Sequence, residues 1–519
     1  MDIAIVGGGP AAVSLLDALA FAQGGEGGAD GATRGGAGSG GAAGPTGRGP
    51  VTAGGPATGT PGSPGPGRPG EPGTITVFEP SPHLWRGRPY GPDLAAVLVN
   101  TPPALMSVRA GDRDHFAAWL GERGAEHTDP LFGQPLVPRA LYGDYLAHSA
   151  ERAVAALAEQ GRPVRVVPAR VVGVTVGAGG RLVSRTDDGQ EYAADRVALC
   201  VGGGTPPDPY ELSGTPGFTA DPYPLADSLD AVGTGEDVTV LGSGLTAVDV
   251  VVALAARGYQ GRISLLSRGG VLPYVWQRPT GHQPTHVTVE RVTRAHRERG
   301  QLALSDLVDL LRAELADAGE DVDALTAQLS ATRTADPVRR LREQLAEVDD
   351  PRIGRRVLQQ TAHTVGPHAW RLLREPDRAW LRRHHRTAVS VASPMVPVNA
   401  SVLMRLLDSG QLTIASGVRS VEPANGGFRI RDADGERTTS ALVNAVNAAT
   451  QAAPDPTRPL IHSLTTTGLA TPHPAGGLLP TDPRLHVIGD LSGGGPFLTS
   501  SVAGVAPQAS RAAAALGRG

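Results

Sequence analysis

The sequence predicts an α/β chain of two Rossmann-like dinucleotide-binding domains, each a parallel sheet plus an antiparallel meander, with the second inserted in the first and carrying a helical insert. Three observations predict it. Two glycine-rich turns, Val6-Gly7-Gly8-Gly9-Pro10-Ala11-Ala12 and Leu241-Gly242-Ser243-Gly244-Leu245-Thr246-Ala247, each follow an apolar run and open a helix-like one. A strand-and-turn pattern ending in a buried run recurs downstream of each turn. A strand ending Ile488-Gly489-Asp490 near the C-terminus can then close the first domain.

The first turn follows the apolar run Asp2 to Val6 and precedes Ala11 to Ala22, where Val13, Leu16, Leu19 and Ala20 recur at helical spacing. In such a turn the first glycine, Gly7, takes a strained backbone. The second, Gly9, lets a pyrophosphate approach the main chain, and the small residue Ala12 lets helix pack on strand. The phosphate then lies on unpaired N–H groups at the helix N-terminus. Residues 24 to 73 are almost wholly Gly, Ala, Pro, Thr and Ser, which predicts disorder because nothing there can offset the ordering entropy. The next strand, Thr74 to Phe78, ends in Glu79, an acid placed to accept hydrogen bonds from an adenosine ribose. Residues 80 to 148 hold a density of aromatic, Arg and Asn residues unusual in a chain with 4% aromatics, and a flavin site is expected there. Residues 164 to 201 read as strand, turn, two strands and a buried run.

The second turn lies between Asp237 to Leu241 and a helix over 246 to 257 that closes on Gly258 as C-cap. Its first and second glycines are Gly242 and Gly244. The following strand, Arg262 to Arg268, ends about 20 residues past the turn, as the motif expects, without an acid. It ends in Ser267-Arg268, and a hydroxyl beside a guanidinium suits a 2′-phosphate that a carboxylate would repel. A solvated strand end is the alternative for this pair. On this difference FAD is assigned to the first turn and NADP(H) to the second. Residues 302 to 349 show helical periodicity, with Leu304, Val308, Leu311 and Leu315 on one face and Asp306, Asp309 and Arg312 expected away from it. Residues 411 to 449 repeat the order of 164 to 201. In the closing strand Leu485 to Asp490, Asp490 is placed for the ribityl and phosphate region of FAD. A helix from about Thr499 is aimed at the flavin pyrimidine edge. The expected boundaries are 1–230 for the first part of the FAD domain, 235–450 for the NADP(H) domain with its insert at about 280–380, and 451–519 for the closing part.

Composition narrows the function classes. A net charge of −4 argues against a nucleic-acid surface. The run Arg382 to Arg386 is expected to be a solvated helix face, with an anion site as the alternative. The single cysteine, Cys200, excludes a redox Cys pair, and the absence of lysine excludes a Schiff-base or P-loop lysine. His282, His286, His363 and His368 have no ligand-like spacing, so no metal is expected. Residue 2 already enters a strand and no apolar run reaches membrane-spanning length, which predicts a cytoplasmic protein without membrane attachment.

The stretches VGGGPAAVSLL, VFEPSPHLWRGRPYG, LVNTPPALMSV, HFAAWL, VPRALYGDYL, VLGSGLTAVDVVVALAARGYQGRISLLSRGG and HVIGDL resemble the FAD/NAD(P)-binding family that includes FAD-dependent urate hydroxylases, related to flavin-dependent N-hydroxylating monooxygenases. Residues 24 to 73 and about 280 to 365 lie outside the resemblance. It implies that Gly7, Gly9, Ala12, Glu79, Arg139 and Asp490 contact FAD, with Arg86 and Asn100 near it. It also implies that Gly242, Gly244, Thr246, Ser267 and Arg268 receive the nicotinamide nucleotide. The stretches 100 to 103 and 139 to 145 would line the isoalloxazine, with a turn and an amphipathic helix start as alternatives; for Tyr142 and Tyr145 core packing is the alternative. The expected activity is a flavin monooxygenase in which NAD(P)H reduces FAD, molecular oxygen reacts with reduced flavin, and one oxygen atom passes to a small nitrogen-containing substrate, urate-like or an amine. A reductase or dehydrogenase without oxygen insertion, and a non-catalytic flavin-binding scaffold, are the competing readings.

Overall fold

The computed structural model describes residues 1–21, 73–233, 235–446, 455–474, 476–494 and 501–517. The disorder expected of residues 24 to 73 falls, except at Gly73, outside the described residues, as do Asn447 to Ala449 and Thr499.

The chain opens with β1 (Ile3–Val6), α1 (Pro10–Phe21) and β2 (Ile75–Phe78). The short helices α2 (His115–Leu120) and α3 (Arg123–Glu126) follow, then the long α4 (Arg139–Glu159) and β3 (Val164–Val167). A meander of β4 (Val171–Val176), β5 (Leu182–Thr186) and β6 (Glu191–Ala194) leads to β7 (Arg196–Leu199). The second unit has β8 (Phe218–Thr219), α5 (Leu225–Ser228), β9 (Val238–Leu241), α6 (Leu245–Ala256) and β10 (Ile263–Ser267). Its helical insert comprises α7 (Val289–Arg299), α8 (Leu304–Asp317), α9 (Val322–Ala331), α10 (Pro337–Ala346), α11 (Gly354–Thr364), α12 (Gly366–Leu372), α13 (Glu375–Arg383) and α14 (His385–Ala392). Then come α15 (Pro397–Asp408), β11 (Leu412–Ser416), the meander β12 (Ser420–Ala424), β13 (Gly427–Arg431) and β14 (Glu436–Thr439), and β15 (Ala441–Asn444). The chain returns to the first unit through α16 (Arg458–Thr466), the hairpin β16 (Ala470–Pro472) and β17 (Leu478–Pro480), β18 (Leu485–Val487) and α17 (Val502–Leu516).

The two parallel sheets have one topology. Their orders are β18-β7-β1-β2-β3 and β8-β15-β9-β10-β11, so each strand of one has a counterpart in the other. The outermost strand differs in origin: β8 precedes its unit, whereas β18 arrives only after the whole second unit has been inserted. Each meander joins the edge strand, β3 or β11, to the strand beside the central one.

Alternation explains why β1 and β9 sit at the centres. Ile3 and Ile5 face α1, α4 and α17, while Ala4 and Val6 face the β4–β5 meander and α16. Both faces are therefore buried, as a central parallel strand requires. In the second unit Val238 and Val240 pack on α6 and α15, and Leu241 turns to the core of Val421, Phe428 and Ile430 in its meander. Within the insert, Leu315 is buried and Asp309 and Arg312 are exposed. Asp306 corrects the expectation: it is 3% exposed, not solvated. As third residue of α8 it reaches back to accept from the Ala303 N–H at 2.8 Å and pairs with Arg299, a capping role that periodicity does not reveal. Among the described residues no helix is long and apolar enough to cross a membrane.

Candidate functional site

The first glycine turn is built by close approach. Gly7 has φ +102°, and a Cβ there would lie 2.6 Å from the Cys200 carbonyl oxygen, so the end of β1 can abut the end of β7 only without a side chain. The Gly7 N–H donates to Phe78 O at 2.9 Å, tying the turn to β2. Glu79, half-buried just past β2, accepts from the Gly8 N–H at 2.7 Å through Oε2 and from the Ser81 N–H at 2.8 Å through Oε1. These bonds aim the carboxylate across the turn and leave lone pairs for ribose hydroxyls. At Gly9 a Cβ would find nothing nearer than Gly87 Cα at 3.6 Å, and Ala12 is fully buried under the sheet. A loop with Trp85 at φ +70° and Gly87 at φ +65° folds over Gly9 and Pro10; a tryptophan held left-handed is a strained choice maintained by its burial.

The second turn repeats the construction. Gly242 has φ +123°, a Cβ would lie 2.5 Å from Ala445 O at the end of β15, and its N–H donates to Leu266 O at 2.8 Å. Gly244 is the N-cap of α6 and Thr246 its second residue. Ser267 is buried, and its hydroxyl accepts from Ser243 Oγ at 3.0 Å and from the Gly270 N–H at 2.9 Å. It therefore shapes the loop after β10, while the neighbouring Arg268 is exposed and makes no ion pair among the described residues.

The closing strand brings Gly489 and Asp490 to the first turn. Gly489, at φ +83°, would place a Cβ 3.7 Å from Ala11 Cβ, over the first turn of α1. Asp490 Oδ2 lies 3.3 Å from where a Cβ of Gly203 would be, beside the segment that follows β7, and nothing stands within 4 Å of a Cβ at Gly202. Burial pushes the Cys200 thiol far up, which leaves its backbone rather than its sulfur as the part in contact with the turn.

Of the three remaining predicted residues, Asn100 and Arg139 lie at the junction of the units, whereas Arg86 is bound within the first. Arg86 pairs with Asp144 at 2.7 Å and donates to Ala140 O, bracing the loop on α4. The Asn100 carbonyl accepts from Trp276 Nε1 at 2.8 Å, and its Oδ1 is buried with no partner among the described residues, an acceptor available to a bound group. The Arg139 guanidinium is committed to protein: Nε donates to Leu98 O at 3.0 Å, one terminal nitrogen to Tyr223 Oη at 2.9 Å, and the other pairs with Asp249 at 2.5 Å. Tyr223 also donates to Asp249 at 2.5 Å. Burial works against the charge on Arg139, but Asp249, Tyr223 and Tyr90 outweigh it and hold the group cationic. Asp249 and Tyr223 belong to no motif; the one sign of them in the sequence is a carboxylate inside the apolar helix LTAVDVVVALAA. Tyr142 and Tyr145 are core residues, fully buried, with hydroxyls bonded to Met106 O and the Val108 N–H.

Other contacts seat the two units against one another. Asp93 accepts from the Leu225 and Ala226 N–H groups at the start of α5, Asp129 from the Val398 N–H at the start of α15, and Arg88 pairs with Asp221. The Arg139–Asp249 pair joins the first turn of α4 to the N-terminal half of α6, so the second glycine turn faces the first unit.

Residues 66–204 match the family model of FAD-NAD(P)-binding proteins. No curated protein matches the chain's sequence. Several solved structures share its fold over nearly their whole length. L-lysine 6-monooxygenase from Pseudomonas syringae is 16% identical with a TM-score of 0.53, covering 100% of this chain and 99% of its own. The ornithine N-hydroxylase of Kutzneria sp. 744, solved with reduced FAD, NADP+ and L-ornithine, is 13% identical with a TM-score of 0.52, covering 100% and 99%. The cadaverine monooxygenase of Erwinia amylovora, bound to FAD, is 13% identical with a TM-score of 0.53, covering 100% and 93%.

Proposed function

We propose that this chain is an FAD- and NADPH-dependent monooxygenase that hydroxylates the nitrogen of a small amine. One observation carries the reading: two glycine turns of the same construction end the central strands of two sheets, and the second faces the first unit across the Arg139–Asp249 junction. Two dinucleotides in that arrangement suit hydride transfer between them. The acid Glu79 beside one turn and the exposed Arg268 beside the other support FAD in the first and NADPH in the second. The full-length likeness to lysine, ornithine and cadaverine hydroxylases supports an amine over a purine-like substrate.

The residues present fit these groups. Gly9 and the N-terminus of α1 would take the FAD pyrophosphate, Glu79 the adenosine ribose, and Asp490 the ribityl chain, while Asn100 Oδ1 offers an acceptor at the junction. Gly242, Gly244 and Thr246 would receive the nicotinamide nucleotide, and Ser267 would hold the loop that carries Arg268. When bound, the flavin supplies hydride acceptance and oxygen activation. The chain's own contribution is to hold donor and acceptor in line, to neutralise phosphates with helix N-termini and arginine, and to close the junction to water through its buried hydrogen bonds.

The test is a purified protein with a flavin spectrum, assayed for NADPH oxidation with a panel of diamines and basic amino acids under oxygen-18. Expected are bound FAD, amine-stimulated NADPH consumption and one labelled oxygen per hydroxylamine. Consumption that continues unchanged under argon with a quinone acceptor, with no labelled product, would replace this reading by a reductase. Bound flavin with no turnover under any of these conditions would leave only a flavin-binding scaffold.

A further inference from the structure

The helical insert returns to the second glycine turn and brings cations with it. Arg268 ends the β10 side of the site, and a Cβ on the next residue, Gly269, would lie 3.8 Å from an Arg386 guanidinium nitrogen. Arg386 is in the first turn of α14, and Arg333 follows α9, whose end is tied to α14 through Tyr274: its hydroxyl is 2.7 Å from Thr332 Oγ1 and its N–H donates to Ser390 O at 2.8 Å. Burial, Arg268 and Arg333, in that order, all push the Arg386 pKa down, and no carboxylate offsets them. Among the described residues none of the three arginines is ion-paired. Some arginines of the insert are, as with Arg342 to Asp408 and Arg382 to Glu375. Tyr210 packs against the apolar cluster that includes Leu241 of β9 and Leu266 of β10, and feels the Arg268 charge. The result is a cationic corner, with an aromatic ring beside it, at the strand end where a dinucleotide fold places the adenosine ribose.

We infer that Arg268, Arg386 and Arg333 together bind the 2′-phosphate of NADPH, two of the three being supplied by the helical insert. Three guanidiniums held together are mutually repulsive until a dianion joins them, and a phosphate is such a partner. The insert is then part of the cofactor site and a determinant of the choice between NADPH and NADH. This rests on the second turn being the nicotinamide site.

The experiment compares wild type with Arg386→Gln and Arg333→Gln, and with Arg383→Gln, an exposed control on the neighbouring helix. Binding of 2′,5′-ADP and 5′-AMP to the holoenzyme is measured by calorimetry, and flavin reduction by NADPH and NADH by anaerobic stopped flow. Each of the two test variants is expected to weaken 2′,5′-ADP about tenfold relative to 5′-AMP, equal to ~1.4 kcal/mol. The NADPH-to-NADH preference should fall in step, with Arg383→Gln showing neither change. Equal weakening of both nucleotides, or of neither, overturns the arginine site while wild-type reduction by NADPH leaves the nicotinamide reading standing. A wild type whose flavin is reduced by neither nucleotide, and which binds neither adenosine phosphate, overturns both.

Discussion

Gly7 and Gly242 occupy equivalent places, and the cost of a side chain at either is local and large. Each is at positive φ, which strains any L residue by roughly 1–3 kcal/mol, and each faces a carbonyl oxygen at 2.6 or 2.5 Å from the would-be Cβ. The obstacle is backbone, so no rotamer change relieves it. Gly242→Ala is expected to purify with flavin bound yet lose at least about tenfold in NADPH affinity, ~1.4 kcal/mol, whereas Gly7→Ala should lose flavin. Absorbance ratio and NADPH titration read the two effects, and a Gly242→Ala protein that binds NADPH like wild type would refute the assignment of that turn. These glycines and Glu79 were legible in the sequence because their signal is carried by a few neighbouring residues between a strand and a helix. The partners of Arg139 were not legible, because Asp249 and Tyr223 come from the other unit and only the folded junction brings them together.

At the scale of elements, one buried carboxylate holds the loop that leads into the insert. Glu314 of α8 is 1% exposed and accepts from the Thr285, His286 and Val287 N–H groups, at 2.6 to 3.1 Å, and pairs with His282 at 3.0 Å. Burial alone would raise its pKa, but these hydrogen bonds outweigh it and hold the carboxyl below the usual glutamate value. Since the folded value is depressed, the stabilisation is fully present above the unfolded value, about 4.3, and is lost as pH falls through the folded one. Glu314→Gln is expected to cost about 1–3 kcal/mol at pH 7. In urea melts the gap from wild type should shrink steadily below about pH 4.3, the unfolded value; a gap independent of pH would mean that the charge plays no part. Periodicity showed the helix from Leu304 to Leu315 but could not show that Asp306 caps it or that Glu314 holds the preceding loop. Both are polar residues turned inward by hydrogen bonds, and an apolar pattern does not register them.

At the scale of the molecule, the repeated sheet topology was visible because strand, meander and return strand recur in order after each turn. The seating of one unit on the other was not, since it depends on contacts between distant segments, both polar ones and the apolar cluster of Leu105, Phe132 and Leu136 with Trp276 and Val396. The polar contacts include the buried network of Arg139, Asp249 and Tyr223, with side-chain exposures of 11% and 0% for the ion pair. Breaking such a pair from one side leaves an uncompensated buried charge and costs about 3–5 kcal/mol, while replacing both partners by apolar groups of similar volume is often neutral. Arg139→Met and Asp249→Leu are therefore each expected to lower the melting temperature, and the double variant to recover it. Rate separates stability from positioning. If the network sets the angle between the two nucleotide sites, anaerobic flavin reduction by NADPH stays slow in the double variant, by tenfold or so, ~1.4 kcal/mol of barrier, although stability has returned. A double variant that recovers both would show that the pair serves folding alone, with the relative placement of the sites set by the Asp93, Asp129 and Trp276 contacts that remain.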